Sequence, residues 1–233
     1  MSEHNFQLEI GDRRIPLTVR RNVRARRMIL RLDMSNDGVV VTIPGHADPA
    51  DGLVMARRQA GWVSEQLNGL PERLMFAEGV SIPYLGHQYT LYRALGRRGV
   101  VELREGGIYV PGEVQHMARR VTDWFKKQAR QEISTRAYAK AKLIDQAPGK
   151  ISIRDTRSRW GSCSSKGGLS FSWRLVMAPE NVLDYVVAHE VSHLIHMNHG
   201  PCFWQTVAKL SDNMDASRAW LRANGERLHR IGP

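Results

Sequence analysis

Cysteine is scarce. The two residues, Cys163 and Cys202, are too few for a disulfide framework and lack the paired spacing of a zinc ribbon, so they read as reduced, partly buried thiols. No apolar run approaches the ~18 residues that a membrane-spanning helix needs. The opening residues, MSEHNFQLEIGDRR, lack the basic-then-apolar layout of a secretory signal. The expectation is a cytoplasmic chain without membrane contact. Aromatics make up 7% of the chain and no nucleic-acid-binding motif accompanies its charge, which ranks a dedicated nucleic-acid module below an enzyme. Acidic residues are also short: 23 Asp+Glu face 34 Lys+Arg, leaving +11. Such an excess favours acidic partners and allows nucleic-acid proximity through a basic surface. Residues 1–113 hold 15 basic and 13 acidic groups, net +2, and residues 114–233 hold 19 and 10, net +9. Most of the excess therefore belongs to the second half. With 42% hydrophobic residues over 233 positions, the chain is an ordinary globular one, long enough for one large domain or two small ones.

The first forty-odd residues alternate as short strands, Phe6 to Ile10, Ile15 to Val19, Met28 to Leu32 and Val39 to Ile43, with turn signals at Gly11-Asp12 and Asn36-Asp37-Gly38. After Pro49, Leu53, Ala56, Ala60, Val63 and Leu67 recur at helical spacing and predict one helix of about twenty residues covering the sheet. Residues 80–111 return to strand signals. Glu113 to Ile144 then contains no Gly or Pro and carries an apolar stripe from Met117 to Ile133, which predicts a long helix opening a second unit. A hairpin is expected from Ile151–Ile153 and Leu169–Trp173, then a helix from Glu180 to about His196, another from Pro201 to Leu210, and a last one interrupted at Asn224-Gly225. No internal repeat stands out. The expected class is α+β, with a β-rich domain over residues 1–112 and a second domain over 113–233.

The informative stretch is His189-Glu190-Val191-Ser192-His193. Two histidines four apart on a helix project from one face a turn apart, which is bite geometry for a single metal ion. Glu190 lies 100° round the helix from His189, placed to reach a water on that metal as general base. The flanking Val182, Leu183, Val186, Val187 and Ala188 are apolar, and burying two imidazoles and a carboxylate among them costs several kcal/mol unless a dication compensates. A catalytic zinc takes three protein ligands and keeps one position open. His196 and His199 compete for third place. His196 would make a row on one straight helix, whereas His199, beyond a helix end marked by Gly200-Pro201, can approach from another direction. The spacing of His189, His193 and His199 also equals the metzincin pattern, except that His196 replaces its turn glycine. His199 is the expected third ligand to one Zn2+.

Four segments then resemble the YgjP-like metal-dependent hydrolases, relatives of the SprT-like and minigluzincin zinc metallopeptidases. They are Arg157-Ser-Arg-Trp-Gly-Ser-Cys163, Leu169-Ser-Phe-Ser-Trp-Arg-Leu-Val-Met-Ala-Pro179, Tyr185-Val-Val-Ala-His-Glu-Val-Ser-His193 and Asn198-His199-Gly-Pro-Cys-Phe-Trp204. The resemblance spans nearly the whole chain. It implies a zincin-like second unit, His189, His193 and His199 as ligands, Glu190 as catalytic glutamate, and the hairpin before the helix lying along the active-site cleft.

The favoured reading is a zinc-dependent hydrolase, a metallopeptidase in first place, with an extended peptide pairing to the strand near Leu169 to Trp173. The alternative is a metal-dependent nucleotide phosphohydrolase or pyrophosphatase whose arginines, Arg20 to Arg31 with Arg154, Arg157 and Arg159, hold a polyphosphate. Arg157, Arg159, Trp160 and Ser162 are candidate substrate contacts, although turn serines and core tryptophans are common. The oligomeric state is open.

Overall fold

The computed structural model describes residues 2–33, 36–94, 99–156 and 159–233. Helices and small mixed sheets make an α+β fold of two compact units, Met1–Glu72 and Arg73–Pro233. Among the described residues, no helix is long and apolar enough to cross a membrane.

In the first unit, β1 (Glu3–Ile10) and β2 (Arg13–Asn22) form a hairpin, as do β3 (Ile29–Asp33) and β4 (Gly38–Pro44). The hairpins join through a parallel β2/β4 pair, giving the order β1-β2-β4-β3. The alternation read from the sequence buries Leu8, Leu17, Val19, Val41 and Ile43 on one face. Two helices supply Ala56, Val63 and Leu67 to that core: α1 (Pro49–Arg58), opened by an Asp48/Asp51 capping box, and α2 (Ala60–Asn68). The single twenty-residue helix is thus two, because the backbone leaves helical geometry at Gln59 (φ −102°, ψ 16°). Gly52 lets α1 close on the sheet, since a Cβ there would lie 2.8 Å from Val19 Cγ1. Gly52→Ala is expected to destabilise this unit by about 1–3 kcal/mol in urea unfolding, overpacking outweighing the ~1 kcal/mol gain in helix propensity.

The second unit repeats this plan. Strands β5 (Ser81–Tyr84), β6 (His87–Ala94), β7 (Glu102–Arg104) and β8 (Gly107–Pro111) lie in the order β5-β6-β8-β7, again with two hairpins joined by a parallel pair. Superposing Pro44-Gly45 on Pro111-Gly112 matches the registers. Val40 sits between Thr18 and Arg31, and Gly107 between Thr90 and Arg104. The following helices share a signature, Met55-Ala-Arg-Arg-Gln-Ala-Gly-Trp62 and Met117-Ala-Arg-Arg-Val-Thr-Asp-Trp124. The chain therefore contains an internal duplication that the hydrophobic pattern does not reveal.

The expected boundary at 112/113 falls inside this unit, whose division from the first lies at 72/73. Ile82, Leu91, Ile108 and Val110 share one core with Val121 and Phe125 of α3 (Met117–Leu143), so β5–β8 belong with the long helix. Every fourth residue of α3 from Met117 to Ala141 is buried. A third sheet has the order β10-β11-β9, from β9 (Ile151–Arg154), β10 (Gly161–Cys163) and β11 (Leu169–Ser172). The expected β9/β11 hairpin is instead a parallel pair, and the hairpin is β10/β11. Three helices complete the unit: α4 (Glu180–Ser192), α5 (Pro201–Leu210) and α6 (Met214–His229). The last runs unbroken through Asn224-Gly225, where Gly225 packs beside the Trp160 ring. Lys140 of α3 bonds both Asp184 of α4 (2.8 Å) and the carbonyl of Leu210 on α5, fixing the three helices at one end.

Candidate metal centre

Helix α4 buries Val182, Leu183, Val186, Val187, Ala188 and Val191 and carries His189 and Glu190 on its last turn. It stops at Ser192, earlier than the expected His196, with His193 holding helical geometry at the cap (φ −67°, ψ −13°). The chain turns through residues 194–200, and Pro201 opens α5. His199 therefore reaches the site from the turn rather than along the axis of α4.

The structure brings His189, His193 and His199 together, one ligand atom from each lying within 4.8 Å of the others. The Nε2 atoms of His189 and His199 are 3.1 Å apart. Two ligands of a tetrahedral zinc stand about 3.3 Å apart, given Zn–N bonds near 2.0–2.1 Å. His193 Nδ1 lies 2.9 Å from the His196 carbonyl, and a hydrogen bond donated to that oxygen leaves Nε2 with its lone pair free. His196 thus serves the site through its backbone, while its side chain borders a cavity of about 320 Å3 with Met197 and Phe203. His189 Nδ1 is buried without a hydrogen-bond partner among the described residues. An unpartnered buried donor costs about 1–3 kcal/mol, which ligation through the other nitrogen offsets. Burial, then the charges of His193 and His199, pushes His189 down to about 4; burial also lowers His193, against the pull of the His196 carbonyl. Neutral imidazoles are the form that a dication needs. The donor set fits one metal ion.

Phe203 forms the floor. Its fully buried ring lies 4.9, 4.5 and 4.7 Å, centroid to centroid, from the rings of His189, His193 and His199. Trp204 Nε1–H donates to the His199 carbonyl at 3.1 Å and fixes the turn. Phe203 belongs to the core and Trp204 packs against it, and both also brace the histidines; the signal was their place on the first turn of α5, directly after His199. Phe203→Leu is expected to leave the fold intact and weaken metal binding by roughly tenfold in a chelator competition, as loss of a ligand-orienting contact does.

Glu190 is buried at 6% exposure, and burial pushes its carboxyl up to about 7, opposed in part by the charge of Arg159. Strand β10 lies directly over it. A Cβ on Gly161 would stand 2.5 Å from Glu190 Cγ and 2.6 Å from Oε1, so only glycine fits. Cys163, two residues on, shares that strand face; burial and then Glu190 raise its thiol above the ordinary range. Neither contact was foreseen.

Among the candidate substrate contacts, Arg157 lies outside the described residues. Arg159 is exposed near Glu190. Trp160 stacks on His229 at 4.4 Å and rests on Gly225, which makes its ring a brace between β10 and α6. Ser162 sits on β10 opposite Ser170. The strand expected to receive a peptide, Leu169 to Trp173, is mostly β11, the centre of its sheet with both sides paired, and Trp173 has already entered a 3-10 turn. The open edge is β10. Trp160 O and Ser164 N bond inward to β11, so by alternation the backbone groups of Gly161 and Cys163 point outward.

A family model described as YgjP-like, metallopeptidase domain, matches residues 26–224. No curated protein and no solved structure is significantly similar to the chain.

Proposed function

The chain belongs to the YgjP-like metallopeptidase family, a metal-dependent hydrolase family, and from that premise we propose that it is a zinc peptidase cleaving extended peptide segments. The observation that carries this reading is the convergence of three imidazoles from α4 and the following turn, with the buried Glu190 next to His189 on the last turn of α4. Three neutral imidazoles and no thiolate suit zinc with one open position. His189, His193 and His199 would hold the dication, which would supply Lewis acidity toward a water and a substrate carbonyl. Glu190 would accept a proton from the attacking water and hand it to the departing amine nitrogen. The outward backbone groups of Gly161 and Cys163 pair with the substrate's main chain and hold it extended past Glu190. Arg159 faces the same mouth and favours an acidic side chain near the scissile bond.

The phosphohydrolase alternative draws on the N-terminal arginines, and two of these are already engaged: Arg20 with Glu3 at 2.7 Å, and Arg21 with the Ala47 carbonyl at 3.0 Å. Elemental analysis followed by a panel of unstructured peptides and nucleoside triphosphates, with and without chelator, tests both. Expected are about one zinc per chain and chelator-sensitive peptide cleavage. Release of phosphate or pyrophosphate with peptides left whole would reverse the ranking.

A further inference from the structure

We propose that the N-terminal unit carries a second, non-catalytic site: a groove along the open edge of β3 that docks an extended peptide segment with acidic residues four positions apart. On its inner side β3 pairs with β4, and its outer side has no strand partner among the described residues. A cavity of about 420 Å3 runs along that outer side, lined by Arg27, Met28, Leu30 and Arg31 and by Met55 and Trp62 of the covering helices. Trp62 is 40% exposed. Met28, Leu30 and Met55 are only partly buried against the core, so an added strand completes their burial.

The charges at this groove are unspent. Among the described residues neither Arg27 nor Arg31 has an ion-pair or hydrogen-bond partner, and both are exposed. At ~3.3 Å per residue, acidic side chains four apart on an added strand span the stretch from Arg27 to Arg31. Two arginines on one face, an aliphatic and thioether lining on the other, and an unpaired main-chain edge together recognise a peptide of the form Glu-apolar-apolar-apolar-Glu. A nucleic acid uses the cations but neither the main-chain edge nor the aliphatic lining.

The duplication supplies an internal comparison. The same place in the second copy, between the chain leading into β7 and helix α3, is a cavity of about 280 Å3 that includes Val100, Val101, Arg120 and Trp124. There the charges are satisfied from within: Arg119 meets Asp123 at 3.3 Å, and Arg120 Nη2 donates to the Gly99 carbonyl at 2.5 Å. In the first copy Gly61 stands where Asp123 does, and the equivalent Arg58 makes no such bond among the described residues. Arg104, the match of Arg31, is likewise paired, with Glu102 at 2.6 Å, so the second copy partners its cations from within and the first keeps Arg27 and Arg31 for a ligand.

The test uses the full chain carrying Glu190→Gln, stripped of metal, and a fluorescein-labelled peptide, Ser-Glu-Val-Ile-Leu-Glu-Ser, followed by anisotropy. Saturable binding is expected to persist without metal and to fall at least about tenfold in the Arg27→Glu/Arg31→Glu variant. A peptide with lysine in place of both glutamates should bind that variant and not the parent. Proline at the central position should abolish binding, because it removes a main-chain donor and breaks the added strand. Absence of saturable binding, binding unmoved by the charge reversal, or displacement by an equal concentration of a thymidine 12-mer overturns the proposal. Loss of binding on metal removal alone would place the peptide in the metal centre, which also overturns it while leaving the peptidase reading intact.

Discussion

Glu190→Gln retains its metal and loses roughly 10²–10⁴ in kcat, the range that a positioned general base supplies. The substitution keeps the length and shape of a side chain that is 6% exposed and wedged under Gly161, so the packing of β10 on α4 has no reason to change. It leaves the ligand set untouched, because His189, His193 and His199 converge through their own nitrogens. An amide at this position cannot accept the proton of the attacking water. Metal content by elemental analysis, thermal midpoint with and without chelator, and turnover of a fluorogenic peptide separate the cases. Turnover within tenfold of the parent, with metal bound, would assign the proton transfer to another group. Loss of metal together with activity would instead make Glu190 part of the binding shell.

The meeting of His189 with His193 was legible because residues four apart on a helix share a face, and an apolar surround makes them conspicuous. That His199 joins them was legible because Gly200-Pro201 marks where the chain leaves the helix axis, so that this histidine approaches from another direction. The four N-terminal strands were readable from alternation and turn residues. The unit boundary was not. The shift in composition at Glu113 announces the start of α3, but Ile82, Leu91 and Ile108 have the same periodicity whichever core they enter, and they enter the core of α3. The duplication was hidden for a related reason. Few positions match between the strands of the two copies, such as Leu30-Arg31 and Leu103-Arg104, and they become visible once strand registers align them. The parallel pairing of β9 with β11 depends on a connection whose path no local pattern specifies. Gly161 escaped notice because a close approach between chain segments thirty residues apart leaves no periodic trace.

That approach carries the second large expected effect. Gly161→Ala places a methyl group 2.5 Å from Glu190 Cγ and 2.8 Å from Cδ, far inside van der Waals contact, so one side must move. Strand β10 has little freedom to retreat: Ser172 N donates to Trp160 O at 2.9 Å, Ser164 N donates to Gly168 O at 2.8 Å, and Trp160 is stacked on His229. Helix α4 is held by its buried Val186, Val187 and Val191, which leaves rotation of the Glu190 side chain as the cheapest relief. A misplaced base with ligands intact predicts a kcat loss of roughly 10²-fold, unchanged metal content, and an overpacking cost of about 1–3 kcal/mol in denaturant unfolding. The cause is separable from general damage by a double-mutant cycle. In a Glu190→Ala background the clashing Cγ, Cδ and Oε1 atoms are gone, so adding Gly161→Ala should cost little further stability and no further activity. If Gly161→Ala lowers stability equally in both backgrounds, the clash is with something other than the glutamate. If it keeps the parent's kcat, the base does not work from the position that β10 gives it.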